Sequence, residues 1–195
     1  DARNAGADSP FGMKFLPKSL KRLSNNLLSL DDPDHRRLRR LVDQPFRRVS
    51  IDELKPRIRE ACDGLVHDMV KSGEPDLVEG LCRQLPLIVI YDLLGFSGAL
   101  RERLDSLLQG LTATANIFNV LRGLTLLGPV QRMLEDEFER VRREPGPGLV
   151  TELVHAEADG ERMSDDELVA MVFVLFIAGH ETTKHLISTG LYTLL

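Results

Sequence analysis

The sequence predicts a mainly α-helical protein, and three observations carry that prediction. Aromatic residues make up 5% of the chain and Trp is absent, while Leu, Ala, Glu and Arg dominate, a balance of good helix formers. Apolar residues return at helical spacing through several long stretches, for example Leu54, Ile58, Leu65 and Met69. Two Ser-x-x-Glu capping boxes, Ser50 with Glu53 and Ser164 with Glu167, open two of those stretches.

Taken in order, DDPDHRRLRRLVDQPF reads as a helix with Asp32 as N-cap and Pro33 at the first position, ended by Pro45. The capped stretch from Ser50 follows and closes at Gly73. LVEGLCRQLPLIVIYDLLGF reads as helix too, with LPLIVIY alone as a candidate buried strand. Two further helices are expected from Ala99 to about Thr114 and from Val130 to Arg143, separated by the weakly patterned ANIFNVLRGLTLLG. PGPG at Pro145 to Gly148 is punctuation, and GLVTELVHAEADGERM gives a short helix and a turn at Asp159-Gly160. The Ser164 box then launches a helix of about 32 residues, about 48 Å, apolar enough all round to cross the middle of a domain.

The chain has 195 residues, 43% of them apolar, and a net charge of −5, enough for one domain or part of a larger one. Cys62 and Cys82 lie in helical sequence without a CxxC pair and read as ordinary buried thiols. The longest apolar run, Leu168 to Ala178, is about half a bilayer span, and the N-terminus lacks a signal-peptide layout, so the expectation is a cytoplasmic protein with no membrane partner. Both ends of the sequence read as cut.

Two motifs carry chemistry. AGHETTKH, Ala178 to His185, follows an apolar run, but its histidines are five residues apart, not the four a zinc protease helix needs, and Lys184 stands where the second ligand would be. No metal site follows, and His180 and His185 read as polar neighbours of a buried segment. Ala178 and Gly179 remove bulk so that a flat ligand can approach the backbone, and Thr182 can bond back to a carbonyl four residues earlier. Glu181 adds a carboxylate suited to proton delivery if burial raises its pKa. In DDPDHRRLRR, His35 and Arg39 share one helix face and Arg36 and Arg40 form a neighbouring stripe, two anion-binding faces. The acidic total charge and the lack of interleaved aromatics argue against nucleic acid as the partner.

The two motifs together resemble a bacterial cytochrome P-450, a haem-thiolate monooxygenase. DPDHRRLRRLVDQPF is similar to the family's C helix with its H-x-x-x-R, LPLIVIYDLLGF to the E helix, and DGERMSDDELVAMVFVLFIAGHETT to the start and centre of the I helix. The resemblance covers about Leu30 to Leu195. It divides the chain into an irregular segment, 1–29, and an incomplete helical domain, 30–195, the helical half of the P-450 fold around a long central I helix. It implies that His35 and Arg39 reach the propionates of haem b, that Ala178 and Gly179 border the oxygen pocket, and that Glu181 and Thr182 deliver protons to dioxygen. Val174 and Ile177 would face a small apolar substrate. The exposed Arg36, Arg40 and Arg47 would meet a ferredoxin or flavoprotein electron donor.

The thiolate loop, F-x-x-G-x-x-x-C-x-G, does not occur, and Glu137 with Arg140 matches the letters of the family's E-x-x-R in the wrong place, where an i,i+3 ion pair is expected instead. The axial Cys is therefore absent from this chain. The expectation is that these 195 residues alone lack monooxygenase activity and self-associate or repack through the apolar face around Val174, Ile177 and Ala178. The alternative reading is a haem-free helical scaffold or partner-binding protein with the same helices.

Overall fold

The computed structural model describes residues 22–23, 26–48, 51–73, 76–96, 98–112 and 117–194. Among these the chain is helical: α1 (Asp34–Arg48), α2 (Ile51–Ser72), a π-helical turn (Val78–Cys82), α3 (Gln84–Leu94), α4 (Gly98–Thr112), α5 (Ile117–Arg143), α6 (Leu149–Val154) and α7 (Asp165–Leu194). The one described pairing outside helices is the bridge between Ala158 and Glu161, closed by the Asp159-Gly160 turn with both residues at positive φ. LPLIVIY is helix, not strand.

Helix α7 organises the rest. Leu168 to Phe173 are buried without interruption, which a helix achieves only when neighbours cover it on every side. The π turn, α3, α5 and α6 supply that cover. Phe176 stacks obliquely on Tyr91 of α3, ring centroids 5.4 Å apart. Burial is complete only in the first half: Ile177, Ala178, Thr182, His185 and Leu186 are exposed, so α7 is not surrounded along its whole length as its composition suggested.

The start of α7 is held by charge. Ser164 and Glu167 form the expected capping box, Ser164 N donating to Glu167 Oε2 at 2.8 Å and Glu167 N to Ser164 Oγ at 3.3 Å. The first-turn acids, which favour the helix N-terminus, each take an arginine from a different part of the chain. Arg22 reaches Asp166, Arg142 of α5 reaches Asp165, and Arg37 of α1 reaches Glu167.

Several boundaries differ from the sequence reading. Pro45 does not end α1; it sits inside the helix with its ring buried, and burial of Leu38, Leu41, Val42 and Pro45 on one face outweighs one lost backbone bond. Pro33 follows a cis peptide bond and precedes α1, and the Asp32 carboxylate pairs with Arg36 at 2.5 Å. Helix α5 begins at Ile117, not Val130, and runs through Pro129, because Leu127, Val130, Leu134, Phe138 and Val141 make one continuous buried face. Ser50, the expected capping residue of α2, and Thr114, the expected end of α4, lie outside the described residues. Gly73 closes α2 at positive φ as expected.

Gly95 and Gly148 let two backbones cross. Gly95 caps α3 in the left-handed region, φ 81°, and a β-carbon there would lie 2.5 Å from the Pro147 carbonyl oxygen. A β-carbon on Gly148 would lie 2.6 Å from the Gly95 α-carbon. PGPG is therefore a close-packed joint. Gly64, in the middle of α2, has nothing within 4 Å of an added β-carbon. Gly64→Ala should raise stability by about 0.5–1 kcal/mol and Gly95→Ala should lower it by about 2 kcal/mol or more, both read from urea denaturation. In the same assay Arg37→Ala should cost about 1–3 kcal/mol, because it strands a half-buried Glu167, while Arg39→Ala should change stability by less than about 0.5 kcal/mol.

Candidate functional site

The residues of AGHETTKH separate by face. Thr182 Oγ1 donates to the Ala178 carbonyl at 2.5 Å, the expected bond back by four residues. Ala178 and Thr182 are exposed, Val174 is half-buried and Ile177 is 43% exposed, so a strip of small and apolar groups lies open along the middle of α7. Gly179 does not belong to that strip. A β-carbon there would meet Ile90 Cδ1 at 3.0 Å, so the close approach it permits is between α7 and α3. Of Ala178 and Gly179, only Ala178 lies on the open side of the helix.

His180 and His185, five residues apart, have opposite fates. His185 is exposed, and His180 is 2% exposed, turned toward the π turn and α3. Glu181 stands between them, with Lys184 Nζ donating to its Oε2 at 2.7 Å, His185 Nε2 3.7 Å from the same oxygen and His180 Nδ1 3.2 Å from Oε1. Burial raises the Glu181 carboxyl, but the hydrogen bond and charge of Lys184, with the two histidines behind it, outweigh that and bring it below the ordinary carboxylate value. The condition set for Glu181, a pKa raised by burial, is thus not met. It is a carboxylate at neutral pH, held by a cation on its own helix. Burial pushes the His180 ring down, Lys184 and Arg83 adding to it and Glu181 opposing, so that imidazole is neutral at pH 7.

On α1 the stripe is real but its members differ. His35 and Arg39 are accessible, His35 3.9 Å from Asp32 and Arg39 3.3 Å from Asp43, loose contacts that leave both free to meet an anion. Arg36 is tied to Asp32, Arg40 lies 3.6 Å from Asp159, and Arg47 is exposed. Arg37 is the residue that sequence reasoning passed over: half-buried, it joins α1 to Glu167 and thereby to α7. Its only local signal was its place on the side of α1 away from His35. Glu137 and Arg140 form the expected i,i+3 pair at 2.7 Å.

Cys82 is buried in the π turn and Cys62 half-buried on α2. The ordinary buried thiol is confirmed for Cys82 only. Among the described residues no group of three or more His, Cys, Asp or Glu side chains could hold a metal ion, and no helix is long and apolar enough to cross a membrane.

Residues 128–195 match the family described as Cytochrome P450. The vitamin D(3) 25-hydroxylase of Pseudonocardia autotrophica is 38% identical over 87% of the chain and 41% of its own length. The cytochrome P450 monooxygenase PikC of Streptomyces venezuelae is 36% identical over 89% of the chain and 42% of its own. The solved structure of the bacillaene polyketide synthase cytochrome P450 PksS from Bacillus subtilis superposes with a TM-score of 0.81 at 30% identity, covering 92% of this chain and 46% of that one. The chain thus spans less than half the length of these relatives. The chain is homologous to the bacterial-type cytochrome P450s.

Proposed function

We propose that the chain forms the helical half of a haem-dependent monooxygenase that oxidises a small apolar substrate, with electrons from a ferredoxin or flavoprotein. The observation that carries this reading is the open strip of Ile177, Ala178 and Thr182 in the middle of a helix whose first half is buried. It suits one face of a flat apolar macrocycle, because it offers small side chains and a helix loosened by the Thr182 back-bond. Neither Cys82, enclosed in the π turn, nor Cys62 is placed as the thiolate ligand of such a group. Haem, when bound, would supply the oxygen chemistry.

This chain's own residues have narrower tasks. His35 and Arg39 would hold the two propionates, charge-assisted bonds that the loosely engaged Arg39 fork is free to make. Val174 and Ile177 would contact substrate, and Ala178 would leave room beside it. Gly179 would contribute by seating α7 against Ile90. Glu181 and Thr182 would manage protons at the open strip, with Glu181 starting as a carboxylate that must take up a proton before it can give one. Arg36, Arg40 and Arg47 would steer an acidic electron donor despite the negative total charge.

Titration of the chain with haemin separates this from a haem-free scaffold. Binding should saturate at one site and weaken roughly tenfold in His35→Ala and in Arg39→Ala; binding indifferent to both would favour the scaffold. In the haem-loaded, full-length enzyme, Thr182→Ala should leave substrate affinity within about twofold while product per electron falls by about tenfold or more, the difference recovered as peroxide. Unchanged coupling of electrons to product would remove Thr182 from the proton pair.

A further inference from the structure

Three buried polar atoms lie together on α7 without a well-formed hydrogen bond: His180 Nδ1, His180 Nε2 and Glu181 Oε1. Nδ1 and Oε1 are 3.2 Å apart. The other Glu181 oxygen is engaged by Lys184 at 2.7 Å. The carbonyl of Arg83, where the π turn meets α3, approaches the imidazole without closing a strong bond, the Arg83 N–H being spent on the Val78 carbonyl. Buried polar groups in folded proteins are almost always satisfied, so three together imply a pairing.

Donor and acceptor chemistry favours one arrangement, because an ionised carboxylate is a stronger acceptor for the ring N–H than the Arg83 carbonyl. An ionised carboxylate only accepts, and a neutral imidazole has one donor and one acceptor. Glu181 Oε1 therefore needs the proton on Nδ1, which turns Nε2 into an acceptor in need of a donor. A water satisfies Nε2 by donating one proton to it and the other to the Arg83 carbonyl. The charged groups facing the ring are Glu181 and Lys184 from its own helix and Arg83 from the neighbouring turn. Burial, with Lys184 and Arg83 adding to it against Glu181, keeps the ring neutral, and the arrangement persists across neutral pH.

We propose that His180 is a positioning residue for Glu181: its Nδ1–H donates to Oε1, and its Nε2 accepts from an ordered water held at the main chain of Arg83. The proposal rests on the reading of Glu181 as one of the proton-managing pair. It gives the carboxylate two anchors of different kinds, the Lys184 ammonium on one oxygen and a neutral imidazole on the other, which together fix where the carboxylate can reach. It also turns a histidine that sequence spacing left as a bystander into the inner support of the site.

Nitrogen-15 NMR of the histidine-labelled chain tests it, with the five histidines assigned by single replacement of His35, His67, His155 and His185, none of them buried. His180 should show a protonated Nδ1 and an unprotonated Nε2, and stay neutral below the pH at which an exposed histidine charges. Glu181→Met removes the acceptor without touching the buried ring and should shift the tautomer population away from Nδ1–H; Lys184→Met should leave it in place. An Nε2–H tautomer in the wild-type chain, or a population that Glu181→Met does not move, would overturn the proposal. The measurement needs neither haem nor turnover, so it stands apart from the Thr182 experiment. Unchanged coupling in Thr182→Ala would retire the proton-managing reading while the tautomer still decides the His180 geometry.

Discussion

Six consecutive buried residues at the start of α7 impose the main constraint on this fold. A helix with an apolar surface on every side is stable only inside other helices, and its ends still need partners for their free backbone groups. The capping box meets the second need, and the three acids of the first turn recruit Arg22, Arg37 and Arg142 from separate parts of the chain. Glu167 joins both functions, one oxygen capping Ser164 while the other receives Arg37. The open strip further along α7 is positioned by what happens at this end.

A second network fixes the helices around it. The Tyr91 hydroxyl donates to Asp105, the Arg101 guanidinium lies 5.3 Å from the Tyr91 ring centre, and Arg101 also donates to Asp92 at 2.7 Å. Burial and the adjoining Asp105 raise the Tyr91 phenol well above its ordinary value, so it remains a hydrogen-bond donor at any pH the fold survives. The ring that carries this hydroxyl also packs on Phe176 of α7. Helices α3, α4 and α7 are therefore registered by one aromatic side chain and the polar groups around it.

Much of this was legible in the sequence where the determinant was local. The Ser164–Glu167 box, the Gly73 stop, the Asp159-Gly160 turn and the Glu137–Arg140 pair all depend on residues within a few positions of each other. The misreadings share a different cause. Pro45 looks like a helix end because it removes a backbone donor, and the stretch before Val130 is weakly patterned, yet both helices continue through a buried face whose packing the sequence does not display. Arg37 and Glu167 are 130 residues apart, so no pattern pairs them. The downward shift of Glu181 was missed because Lys184 was read only as the residue displacing a metal ligand, although its i,i+3 spacing was in plain view. His180 could be placed on a helix from sequence, but its burial is set by the π turn, which had no recognisable signature.

The bond from Thr182 to the Ala178 carbonyl limits what that hydroxyl can do toward a visitor. A hydroxyl carries one proton and two lone pairs, and here the proton is already committed inward. Toward the exposed side Thr182 offers lone pairs alone. Anything docking there meets an acceptor, and is selected for having a hydrogen to give. For Thr182 to become a donor, its bond to the helix must first break, and the carbonyl it releases must find another partner.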